Sequence, residues 1–176
     1  MIERLAEKTR KGLKEKESTI QATFKKVAEV TTPNLEAYQH YFRGEELFNK
    51  VKMSEAGEEF EKAIALDSTF SLAYYGFAYT LNWEQMVGAR AAILKAIQYI
   101  DKVAEKERYL IKALYEDVEG NNEQAIALYK ELLELYPSEK EAIYLLGDFY
   151  IILVIILQQQ YFLRKSSSLT QRIKGL

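Results

Sequence analysis

Apolar positions recur along this chain at helical spacing, and the whole pattern recurs roughly every 34 residues. Small residues fall at Gly44, Ala78, Ala113 and Gly147, separated by 34, 35 and 34 positions, each among aromatic or aliphatic neighbours. A second set runs out of phase with the first. Ala56, Phe60 and Ala63 recur as Ala89, Ile93 and Ala96, then as Ala125, Tyr129 and Leu132. Residues four and three apart share one face of a helix, so each triplet reads as the buried stripe of a second helix packed on its predecessor. Each unit is therefore a helical hairpin. One hairpin cannot bury its own stripe, whereas three or more stacked hairpins form a continuous core, so the pattern predicts an all-α, right-handed α-α superhelix (solenoid) with a concave side. Phe60, Tyr74, Ile93 and Tyr129 are expected in that core.

Turn signals divide the chain. Leu66-Asp67-Ser68 and Leu135-Tyr136-Pro137 end units, while Lys50–Ser54 and Glu119–Asn122 mark turns inside hairpins, and a shortened turn is expected over Asn82–Gly88. The resulting segments are 1–34, an N-terminal helix and linker; 35–68, 69–104 and 105–138, three repeats; and 139–176, an incomplete fourth repeat with an aberrant tail.

These residues resemble the tetratricopeptide repeat over roughly residues 35–150. The third unit, Gly120–Ala125 and Tyr129–Pro137, fits best; the first has Val51 where glycine is usual and Ser68 where proline is usual. The resemblance implies about three and a half hairpins and a protein-interaction module without catalysis or cofactor. Its groove is built from the first helix of each hairpin. Repeat phase then places Tyr38, Tyr41, Glu45 and Phe48 there from unit one, and Leu72, Tyr75, Tyr79 and Asn82 from unit two. Glu107, Leu110, Leu114 and Asp117 follow from unit three, and Glu141, Tyr144 and Asp148 from unit four. Tyrosines beside carboxylates suit an extended protein or peptide segment with aliphatic and basic side chains. The lysine, asparagine and arginine with which some relatives clamp acidic C-termini are replaced by Tyr41, Glu45, Glu107 and Ile111, so an acidic tail is a poor ligand.

Both ends depart from the repeat. Residues 1–30 carry Ile2, Leu5, Leu13, Ile20, Phe24 and Val27 in a weakly amphipathic helical pattern, followed by a polar break at Thr31-Thr32-Pro33-Asn34. This segment resembles the end of a TolB-like or cyclase-type signalling domain preceding such an array, which would make the chain a sensory or scaffolding fragment; the alternative is a capping helix. At the other end, the place of a turn is taken by Ile-Ile-Leu-Val-Ile-Ile-Leu, residues 151–157, and then Gln158–Gln160. A shifted reading frame can encode a Gly-Asp-Tyr turn and a second repeat helix ending in Asp-Pro, so residues 151–176 read as out-of-frame translation of a fourth repeat; a genuine apolar capping helix is the alternative. Poor cover of Ile143, Leu146 and Phe149 predicts self-association. Arg164, Lys165, Arg172 and Lys174 add non-specific anion affinity.

Composition narrows the chemistry further. A formal charge of -2, mixed along the chain, lacks the basic stripe that nucleic acid requires. The chain has no cysteine and a single histidine, His40, which excludes thiolate chemistry and histidine pairs. His40 is expected as a partly buried packing residue, and Glu58, Glu59 and Glu61 beside Lys62 as a solvated face. No phosphate-binding loop or nucleophile elbow occurs. Charges near Met1 argue against a secretory segment, and the run Phe149–Leu157 is far below the roughly 20 residues of a membrane span, so a cytoplasmic location is expected.

Overall fold

The computed structural model describes residues 31–174; the amphipathic pattern of residues 1–30, with the signalling-domain resemblance it carries, lies outside the described residues. The fold is all-helical. Seven α-helices are present among the described residues: α1 (Leu35–Phe48), α2 (Met53–Leu66), α3 (Ser71–Trp83), α4 (Ala89–Gln98), α5 (Glu105–Val118), α6 (Asn122–Leu135) and α7 (Lys140–Lys174), with a 3-10 turn over Ile100–Lys102. Helices pair as α1–α2, α3–α4 and α5–α6, each pair packs on the next, and the first helices also touch one another, α1 with α3 and α3 with α5.

Sequence periodicity reappears in the core. All nine residues of the out-of-phase set are buried, Phe60 and Ile93 completely and Tyr129 to 1% exposure. Tyr74 differs: it is half-buried at the core's edge, beside Tyr99 and Asp67. Phe60 of α2 lies between two glycines. A methyl group built at Gly44 of α1 or at Gly76 of α3 would come within 2.6 Å of its ring, so the glycines admit the ring from both sides. The repeat-phase residue Ala78 is buried, but Gly76 makes the close approach.

The three turns within hairpins share one backbone device. Val51, Gln85 and Gly120, at spacings of 34 and 35, all have positive φ, at 59°, 53° and 80°. After each, the next N–H reaches back to a carbonyl five residues earlier: Lys52 to Leu47, Met86 to Leu81, Asn121 to Glu116. Each positive-φ residue also donates to the carbonyl three residues before it, Phe48, Asn82 and Asp117. This is the paired closure by which a left-handed residue caps helix carbonyls, and it favours glycine because any side chain crowds the backbone there. Only unit three has the glycine. The second turn is not shortened. It is the longest, because Met86 and Val87 extend past the closure to a second left-handed residue, Gly88 at φ 116°, and α4 is correspondingly only 10 residues long.

The polar break before α1 is tied down. Asn34 caps α1 by accepting from the N–H groups of Glu36 and Ala37, and its side-chain amide donates to the Leu66 carbonyl. Thr32 is buried and its hydroxyl donates to Asp67, which also accepts from the backbone and hydroxyl of Thr69. These bonds outweigh burial and hold the Asp67 carboxyl below its ordinary range.

The fourth unit breaks the pattern. α7 starts where its first helix is due and continues unbroken for 35 residues, roughly 50 Å. It passes straight through Val154 and Ile155, one repeat beyond Gly120, where no glycine or asparagine offers a left-handed residue. Among the described residues neither a second hairpin helix of this unit nor a cap folded back on the array forms; α7 packs against α6 through its first turns.

Candidate functional site

The first helices carry the predicted site residues, and thirteen of the fifteen placed by repeat phase line three clefts between α1, α3, α5 and α7. The remaining two, Tyr38 and Leu114, pack into the core. A central cleft of about 160 Å³ is bounded by Tyr41, Glu45, Leu72, Tyr75 and Leu110 together with Lys106, Glu107 and Glu141. A neighbouring cleft of about 520 Å³ shares Glu45 and Glu141 and adds Phe48 and Tyr144. The third, about 360 Å³, holds Tyr79, Asn82, Asp117 and Asp148.

Burial divides these residues into floor and rim. Of the residues expected along the groove, Tyr38, Leu72, Tyr75, Tyr79, Leu110 and Leu114 are buried and serve as structure. The Tyr75 hydroxyl of α3 donates a 2.7 Å hydrogen bond to Glu141 of α7, a side-chain link between the second and fourth first helices. Tyr144 is 52% exposed and Trp83 45%, leaving these as the aromatic surfaces open to a ligand. Phe48, Tyr79 and Trp83 form a ladder, with centroids 4.9 Å and 6.4 Å apart.

Carboxylates dominate the clefts. Burial, with the neighbouring Glu141 charge, pushes the Glu45 carboxyl up to about 7, against a smaller opposing hydrogen bond from Tyr41. Burial likewise raises Glu141, opposed by its Tyr75 bond; Asp117, opposed by a 2.9 Å bond from the Asn82 amide; and Asp148, opposed by Tyr144. One oxygen each of Glu107 and Asp148 is enclosed without a hydrogen-bond donor. Two lysines line these clefts, Lys140 in the second and Lys106 in the central one, and Lys106 pairs with Glu139 at 3.0 Å and Glu107 at 3.8 Å.

Sequence reasoning missed Trp83, Tyr129, Leu145 and Phe149, which line the third cleft. Tyr129 belongs to a second helix, and repeat phase alone assigns such residues to the core. Its ring lies 6.1 Å from that of Phe149, tilted against it, and borders the cleft. His40 is half-buried as expected, but its Nδ1 lies 2.7 Å from Glu59, which also accepts from Lys62 at 2.6 Å. Glu59 is thus part of a packed ion pair and not of a solvated face. Among the described residues, no group of His, Asp and Glu side chains is placed to hold a metal ion, and no helix is long and apolar enough to cross a membrane. No protein-family model and no curated protein matches the chain.

Proposed function

We propose that this chain is a tetratricopeptide-type interaction module, without catalysis, that binds a basic, aliphatic segment of another protein along the clefts of its first helices. The observation that carries this reading is the charge of the site: Glu45, Glu107, Asp117, Glu139, Glu141 and Asp148 line the clefts against two lysines, Lys106 and Lys140, of which Lys106 is already paired. An arriving lysine or arginine would supply the donors that the enclosed Glu107 and Asp148 oxygens lack, and charge-assisted bonds of that kind are about twice as strong as neutral ones. Tyr144, Phe48 and Trp83 would take the aliphatic side chains. The three repeated turn closures at 34 and 35 residues and the stacked helix pairs support the repeat assignment. If residues 1–30 are the end of a signalling domain, the same groove would serve as that protein's scaffold.

The test is fluorescence anisotropy with two labelled 14-residue peptides, one alternating leucine and arginine, one alternating leucine and glutamate. The basic peptide is expected to bind, with affinity falling as salt rises. Tyr144→Ala and Asp148→Asn should each weaken it about tenfold, the loss of a good interface contact. Equal binding of the acidic peptide would overturn the assignment of ligand charge. Binding of the basic peptide unchanged by both variants would overturn the site.

A further inference from the structure

We propose that the chain forms a closed two-fold dimer in which the distal half of each α7 supplies the missing second helix to the fourth unit of its partner. In unit one, Gly44, the equivalent of Gly147, is covered by the Phe60 ring, 16 residues further along and delivered by the fold-back of α2. In units two and three the same phase sets Ile93 15 residues after Ala78, and Tyr129 16 after Ala113. A methyl group built at Gly147 would meet nothing within 4 Å, so this position is uncovered.

Residue 162, at the matching offset of 15, is a phenylalanine, and it is 61% exposed on the straight continuation of α7. A helix that runs through its turn cannot return that ring to its own Gly147. A second copy, antiparallel, can. Pairing Gly147 of each copy with Phe162 of the other centres the two-fold axis between Val154 and Ile155, where the intramolecular turn was due. Helical phase agrees: with 100° per residue, Ile151, Val154 and Phe162 lie within about 60° of the Gly147 direction. Ile151 is 60% exposed and Val154 61%.

Charge favours the same orientation. Residues 140–148 of α7 carry Lys140, Glu141 and Asp148, a net negative charge, while residues 158–174 carry four basic residues and no acid. Antiparallel pairing sets the acidic end against the basic end and opposes the helix dipoles; parallel pairing would stack like on like. The exposed parts of the apolar residues on this face, from two copies, amount to on the order of 1,000 Å², at the lower edge of specific interfaces. Each copy receives what the turn would have supplied within one chain, which is the logic of a domain swap.

Cysteine cross-linking tests the register, because the natural chain has no cysteine. Under mild oxidation Val154→Cys should form a covalent dimer. Gly147→Cys alone should not, its two copies lying roughly 20 Å apart along the pair, but mixed with Phe162→Cys chains it should give the mixed dimer. Gly147→Cys linking to itself would indicate a parallel pair and overturn the proposal. Sedimentation of the unaltered chain at 100 µM supplies the second reading: a dimer is expected, weakened at least tenfold by Phe162→Glu. A monomer, or an open series of larger species, would overturn it.

Discussion

The first three hairpin turns and the place of the fourth are separated by one repeat, yet they end in opposite ways. At Val51, Gln85 and Gly120 the backbone enters the left-handed region, two reverse hydrogen bonds close the helix end, and an aromatic or aliphatic residue returns to cover its neighbour. At Val154 and Ile155 the helix continues, and Leu157, Tyr161, Phe162 and Leu163 beyond them are exposed. Val51 shows that a β-branched residue does not by itself forbid the turn. Asn49 precedes it and donates its side-chain amide to the Glu45 carbonyl, whereas residues 151–157 are apolar without exception and offer no such bond. The turn therefore depends on polar groups able to take over the last carbonyls, not on one permissive residue.

The sharpest contrast is expected between equivalent aromatics. Phe60→Ala should lower unfolding free energy by about 3–5 kcal/mol in urea titration, since it opens a void between two glycines. Phe162→Ala, measured below the concentration of any dimer, should change it by less than about 0.5 kcal/mol. Equal losses would mean that the tail is packed within a single chain.

Glu45 gives the next effect. Its carboxyl sits at about 7 in the fold against an ordinary 4.5, so between those values the folded chain holds a proton that the unfolded chain has released. Stability therefore falls as pH rises from 4.5 through about 7, by about 3 kcal/mol in all. Glu45→Gln should flatten that slope, read from denaturation midpoints at pH 5, 6, 7 and 8; a slope left unchanged would place the proton elsewhere. Binding of the basic peptide should strengthen over the same pH range, because the ionised carboxylate attracts a cation.

Equivalent glycines should respond with opposite signs. Gly44→Ala forces a methyl into the Phe60 ring and should cost about 1–3 kcal/mol, while Gly147→Ala meets open space within a helix and should stabilise by up to about 1 kcal/mol. Smallest is the turn itself: Val51→Gly should add about 1 kcal/mol, and Gly120→Ala remove about as much. Thermal unfolding of the four variants checks both pairs.

The helical hairpins were legible because Ala56, Phe60 and Ala63 and their counterparts are core residues whose spacing is dictated by helix geometry. The site was legible only in part. Repeat phase brought Glu45, Asp117 and Asp148 to the clefts correctly, but it treats each unit as independent. It therefore had no means of showing that Glu141 crosses to Tyr75, or that Tyr75 and Tyr79 are buried. The two ion-pair partners His40 and Glu59 are 19 residues apart on different helices, and no local pattern joins them.

The Tyr75–Glu141 hydrogen bond links units two and four and skips the one between them. Mechanically it is a tie between alternate units: packed hairpins flex by small rotations at each joint, and a bond that spans two joints opposes both. Were a guest to recruit Glu141, that restraint would be released, and the stack would become more compliant on occupation.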